Sequence, residues 1–149
     1  MHLRAENLTR RYRIKKVLLA LAAVALLGCG GDSTGVGAKV EGTWNLQTVN
    51  GSPLPYTAIF VANPLYKFEI LSDQFVANAN GTYSETSTTR ETNGTNVTTS
   101  TDSGNGTWVQ SGSALNITDA SDGSVSEATI SGNTITVDQQ GLVLVYRRQ

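Results

Sequence analysis

Residues 107–147, reading TWVQSGSALNITDASDGSVSEATISGNTITVDQQGLVLVYR, decide the fold class. Leu115 and Ile117, Ile135 and Val137, and Leu142 and Leu144 recur two residues apart, the period of a strand that buries one face. Gly112-Ser113, Asp122-Gly123, Gly132-Asn133 and Gln140-Gly141 punctuate the pattern, so the stretch divides into strands at Thr107–Ser111, Ala114–Thr118, Ser124–Ser131, Thr134–Asp138 and Leu142–Arg147. Connections this short join only antiparallel neighbours. The last strand, Leu142-Val143-Leu144-Val145-Tyr146, is apolar on both faces, which marks either a covered central strand or an exposed patch for a partner.

The same punctuation continues upstream. Trp44, Leu46 and Thr48 share one face of a first strand, and Asn50-Gly51 supplies a turn whose residues tolerate positive φ. Beyond Pro53 and Pro55, Thr57–Ala62 and Tyr66–Leu71 read as strands separated by Asn63-Pro64, and Gln74–Ala79 as a third. The turns Asn80-Gly81 and Asn93-Gly94 then bracket a polar strand from Thr82, with Asn96–Thr101 returning. No window of eleven residues between Gly42 and Gln149 keeps a helical apolar period free of glycine, proline or β-branched residues. The expected fold is all-β, an antiparallel up-and-down meander of about eight strands that can close into a barrel, with a partly open β-sandwich as the alternative. Thr82–Thr107 is the odd stretch. It is threonine, serine, asparagine and glycine with Val97 as its only aliphatic residue, so its register is weakly specified and it reads as a polar rim, a solvated hairpin or a frayed loop.

The leader has a different composition. Residues 1–16 hold Arg4, Arg10, Arg11, Arg13, Lys15 and Lys16 against the single acid Glu6, and Val17–Leu27 is an uncharged run of eleven residues, too short to span a bilayer core of about 30 Å. Leu26-Leu27-Gly28-Cys29 follows, with the only cysteine of the chain. This arrangement resembles the signal region of bacterial lipoproteins, which implies acylation of Cys29 and its exposure as a new N-terminus. Ordinary secretory cleavage near Gly28 is the alternative. Thr9-Arg10-Arg11-Tyr12-Arg13-Ile14-Lys15 also resembles a twin-arginine export signal, although Arg13 stands where an aromatic residue is usual. Gly30 rather than aspartate follows the cysteine, and the resemblance therefore leans towards the outer membrane over the inner one.

The expected organisation is a signal peptide and signal helix over residues 1–28, a lipidated cysteine with a glycine-rich flexible tether over 29–39, and one domain over 40–149. From Gly30 onward five cations face eleven acids, a net side-chain charge of −6. Nucleic acid is therefore excluded as an expected partner, since too few cations remain to neutralise phosphates. The expected link to the membrane is through the acyl chains on Cys29, not through charge.

Gly42-Thr43-Trp44 at the start of the first strand, Val49-Asn50-Gly51-Ser52-Pro53-Leu54-Pro55 after it, and the terminal Leu144-Val145-Tyr146-Arg147-Arg148 together resemble bacterial lipocalin-like domains. The resemblance spans about residues 40–149 and is carried by the two ends. It implies a lipocalin-like barrel whose tryptophan, here Trp44, plugs the closed end. An arginine of the last strand, either Arg147 or Arg148, would pack across the indole as a cation–π contact. Trp108 reads as a second core aromatic.

Catalytic constellations are missing from the sequence after the leader. The only histidine is His2, and no Ser-His-Asp set or His/Cys metal cluster can be assembled. Glu69, Asp73, Glu85, Glu91, Asp102, Asp119, Asp122, Glu127 and Asp138 read as scattered turn and solvent positions without an aromatic cluster beside any pair. Asp119 with Asp122, or Asp102 near Asn105, lacks the spacing of a dedicated calcium loop. The expectation is a protein that is not an enzyme and uses no cofactor or metal. Two functions remain open: a membrane-anchored binding module for a small apolar or amphipathic ligand in the cell envelope, or a structural and interaction lipoprotein with a filled barrel.

Overall fold

A computed structural model describes residues 37–139 and 141–149, and every regular element among them is a β-strand. In chain order these are β1 (Gly42–Val49), β2 (Ser52–Pro53), β3 (Tyr56–Ala62), β4 (Leu65–Ala77), β5 (Thr82–Asn93), β6 (Asn96–Ser111), β7 (Ala114–Asp119), β8 (Val125–Ser131), β9 (Thr134–Gln139) and β10 (Leu142–Arg148). The predicted signal segment, Cys29 and the first part of the tether lie outside the described residues.

Each strand from β3 to β10 pairs antiparallel with the next, β10 returns to β1, and β1 pairs with β4. Eight strands, β1 and β4–β10, therefore close a barrel, while β2 extends the end of β1 and β3 lies along the outer part of β4. The last strand is paired on both edges, between β1 and β9, while its outward face stays open at Val143, which is 37% exposed. Closure between first and fourth strands takes four residue pairs, Gly42↔Ala77 to Asn45↔Gln74. Beyond them β3 takes over the same edge of β4, from Tyr56↔Ile70 to Ala62↔Leu65.

Strand β4 corrects the sequence reading. Tyr66–Leu71 and Gln74–Ala79 were expected as separate strands, but they are one strand of 13 residues ending at Ala77. Leu71 is the extra residue of a bulge between Ile70 and Ser72, which bends the strand and changes which residues face inward. Below the bulge the inward set is Asp73, Phe75 and Ala77; above it the same face carries Ile70, Phe68 and Tyr66. The Ser72-Asp73 pair had the composition of a turn, and the bulge absorbs it without breaking the pairing.

The threonine-rich stretch does not fray. β5 and β6 pair through twelve consecutive positions from Thr82↔Thr107 to Asn93↔Asn96, and β5 is held on its other side by β4. Register there comes from the aliphatic partner strand and from the Asn93-Gly94 turn, not from apolar residues of its own. Asn50 and Gly51 take positive φ, 51° and 77°, as the turn after β1 requires. The turn is tied to the last strand by two 2.8 Å hydrogen bonds: Asn50 N donates to the Val143 carbonyl, and Val143 N donates to Asn50 Oδ1.

The core occupies the barrel interior. Trp44, Leu46, Phe75, Ala77, Tyr83, Leu115, Ala128, Ile130, Ile135, Val137 and Tyr146 are all buried, each at the inward phase of its strand. One end of the barrel carries the β4–β5, β6–β7 and β8–β9 turns with Lys39 and Arg148; the other carries the 50–55 loop and the turns after β3, β5, β7 and β9.

Candidate ligand site in the barrel interior

One end is plugged by Trp44, which is fully buried. Its indole Nε1 donates to the Val40 carbonyl at 2.7 Å, so the one polar atom of the ring is satisfied without water. The Arg148 guanidinium lies over the ring, 4.2 Å from its centroid, and donates to the Glu41 and Lys39 carbonyls. Gln110 fastens the same segment, with Nε2 donating to the Ala38 carbonyl at 2.6 Å and Oε1 accepting from Val40 N at 3.1 Å. Ala38 and Lys39, the last residues of the expected tether, are therefore laced across the barrel end. Of the two arginines named from the sequence, Arg147 is exposed and pairs with Asn45 and Thr134, so Arg148 alone meets the indole. Trp108 is half-buried, and its Nε1 donates to the Thr82 carbonyl at 3.0 Å.

Above the plug the interior turns polar on one side. Register places Tyr83 opposite Ala77 and Gly106, Glu85 opposite Phe75 and Gly104, and Ser87 opposite Asp73 and Asp102, all on the inward face. Gly106 makes room for the Tyr83 ring: a Cβ there would stand 2.7 Å from Tyr83 Cε1 and strike the Thr118 carbonyl. Tyr83 packs on Phe75 with ring centroids 5.0 Å apart.

Asp73 is buried against Glu85, Tyr146 and Ser87. Burial first, and the neighbouring Glu85 carboxylate second, push its pKa up to about 8. Its Oδ1 has no hydrogen-bond partner, although these three side chains surround the carboxyl. The Tyr146 hydroxyl is held well above its ordinary pKa by burial and then by Asp73 and Glu85, and Tyr83 is pushed up to about 12 by burial and then by Asp119.

Residues 40–137 match the family of lipocalin-like domains. That is most of the described chain, on a closed eight-stranded barrel. The protein belongs to the lipocalin-like domain family. No curated protein and no solved structure matches it.

The lipocalin-like barrel carries a second carboxylate site on its outer wall. Glu69 pairs with Lys67 Nζ at 2.6 Å and with Arg90 Nε at 2.8 Å. It has little solvent exposure because those two side chains lie over it, not because it is deep in the protein. Hydrogen bonds from Arg90 and then Lys67 hold its pKa down, to about 2. Asp119 and Asp122 shape the β7–β8 turn, their Oδ1 atoms accepting from Ser121 N at 2.7 Å and Ser124 N at 2.8 Å. Among the described residues no three histidine, cysteine or acidic side chains come together as metal donors.

The sequence reading scattered the acids over turn and solvent positions, and Asp73 corrects it. Alternation carried down from Phe68 and Ile70 would put Asp73 outward, and only the bulge at Leu71 brings it onto their face. Its inward phase is legible only downstream, from Phe75 and Ala77.

Proposed function

We propose that this lipocalin-like domain binds a small apolar or amphipathic molecule inside its barrel and leaves it chemically unchanged. The carrying observation is the asymmetry of the barrel. One end is sealed by Trp44, Arg148 and the Lys39–Glu41 segment. Away from that plug, Ile70, Ile117, Leu142 and Leu144 are only partly buried and give a guest apolar wall to displace water from. In this reading Cys29 carries acyl chains that hold the domain at the outer membrane, which places the barrel beside a source of amphiphiles. The signal for this is the basic run, the eleven-residue apolar run and Leu26-Leu27-Gly28 before the cysteine.

The test is a titration with fatty acids, retinoid-like probes and an environment-sensitive naphthalene dye, followed through tryptophan quenching. Saturable binding tighter than about 10 μM, some −7 kcal/mol on the order-of-magnitude scale, is the expected result. No saturation with any of them would favour the structural lipoprotein with a filled interior.

A further inference from the structure

We infer that the barrel takes a cationic amphiphile, with the positive head at Asp73 and Glu85 and the apolar tail along β3 and the outer part of β4. This rests on the binding reading above and narrows it to one charge class. Register builds the face from two unlike halves. Ile59 and Val61 of β3 lie opposite Phe68 and Tyr66 of β4, giving an apolar strip on the side of the sheet that continues into the barrel interior. Ile59 and Val61 are 42% and 44% exposed, so this strip is open to solvent in the free protein. On the same face the next two strands present acids: Glu91 lies opposite Phe68, Glu85 opposite Phe75, and Asp102 in line with Ser87 and Asp73.

The independent sign of a missing partner is Asp73. It is only 9% exposed and at the inward phase of Phe75 and Ala77, and its Oδ1 lacks any hydrogen bond although Glu85, Tyr146 and Ser87 hydrogen-bond the carboxyl group. A buried polar atom is normally satisfied, because an unmet one costs its full desolvation. The titratable groups facing Asp73 are Glu85 from β5 and the Tyr146 hydroxyl from β10, with the Ser87 hydroxyl beside them. Tyr83 stands next to Glu85 and feels Asp119 and Asp122 from the β7–β8 turn.

No described cation answers these acids. Lys67 and Arg90 are engaged with Glu69 on the opposite face of the sheet, Arg148 lies over Trp44, and Lys39 and Arg147 are exposed at the plugged end. Two carboxyls make a poor cage for a metal ion, which wants six or more oxygen ligands in the case of calcium. An ammonium group needs only one or two acceptors and brings an alkyl chain suited to the Ile59, Val61, Tyr66 and Phe68 strip. Proton and ammonium would compete for the same oxygens, so binding should strengthen as the pH rises through about 8, where Asp73 gives up its proton.

The test uses the full-length chain and three probes with the same twelve-carbon tail, dodecylammonium, dodecanol and dodecanoate, below their micellar concentrations in a calorimeter. Dodecylammonium should bind roughly tenfold or more tighter than dodecanol at alkaline pH, the size of a charged hydrogen-bonding contribution, with dodecanoate weakest. Because a primary ammonium, like lysine with a pKa of about 10.4, keeps its charge from pH 6 to pH 9, a loss of this advantage at pH 6 reports the protonation of Asp73. Asp73→Asn and the half-buried Glu85→Gln should each remove the advantage over dodecanol, whereas Glu69→Gln on the outer wall should preserve it. Equal affinities for the three probes, a preference for dodecanoate, or an advantage that survives both lumen substitutions overturns the assignment while the carrier reading stands. No saturation with any of the three overturns both.

Discussion

Arg148, on the last strand, lies 4.2 Å over the ring of Trp44, on the first, and so locks the two ends of the barrel sheet together. The contact is a cation–π pair between a half-buried guanidinium and a fully buried indole, supported by hydrogen bonds from the same guanidinium to the backbone of the entering chain. Trp44→Ala should cost about 3–5 kcal/mol, as expected for a large aromatic removed from a core. Arg148→Met, which keeps much of the packing, should cost about 1–2 kcal/mol. Urea midpoints of the two variants give both values, and an unchanged midpoint for Trp44→Ala would show that the plug is not part of the folded core.

Gly106 and Gly104 lie on one strand, two residues apart and on the same face, yet they should respond differently to a methyl group. A Cβ at Gly106 meets the Thr118 carbonyl and, at 2.7 Å, Tyr83 Cε1, while one at Gly104 meets only Glu85, at 3.7 Å and beyond. Gly106→Ala should therefore destabilise by about 1–3 kcal/mol or more, the usual range for overpacking, and Gly104→Ala by much less. Thermal unfolding of the pair measures the contrast.

Asp73 makes a signed prediction about pH. Its pKa is raised to about 8 in the folded protein and lies at about 4 in an unfolded chain. Between those values the folded state binds the extra proton, so stability is full below about pH 4 and declines as the pH rises through about 8. Asp73→Asn should flatten that decline and leave the variant more stable than the parent at pH 9. Glu69 acts in the opposite sense but elsewhere: its pKa is lowered to about 2, so its contribution is present above about pH 4 and lost only as the pH falls through 2. Urea midpoints from pH 5 to pH 9 isolate the Asp73 effect, and parallel curves for parent and variant would contradict it.

The strand pattern was legible wherever one face of a strand is apolar and glycine marks the turns, as from Ala114 to Tyr146. It failed at Leu71–Asp73, where a bulge inserts a residue without a glycine or proline to announce it. It also underestimated β5 and β6, whose order derives from neighbours and not from their own composition. The plug was legible as Gly42-Thr43-Trp44 with a terminal arginine, but the choice between Arg147 and Arg148 depends on strand phase: Arg148 sits opposite Trp44 itself. The lumen carboxyl was hidden, since burying Asp73 requires three strands to converge on it.

Cys29 gives the prediction that concerns address. Cys29→Ser should shift the protein from the detergent-extracted membrane fraction to a soluble or unprocessed form. Fractionation and migration identical to the parent would rule out acylation at that residue.

The central claim is that the barrel interior, and not its outside, receives a guest. Amide chemical-shift mapping during titration with dodecylammonium or, should that not bind, an apolar naphthalene dye tests it most directly. The account predicts saturable shifts at inward positions such as Tyr83, Glu85, Ile117 and Tyr146, with little change at the outward Thr86, Thr107 and Val109. Shifts confined to outward residues such as Phe60 and Val109, or no saturable shift anywhere, would contradict it.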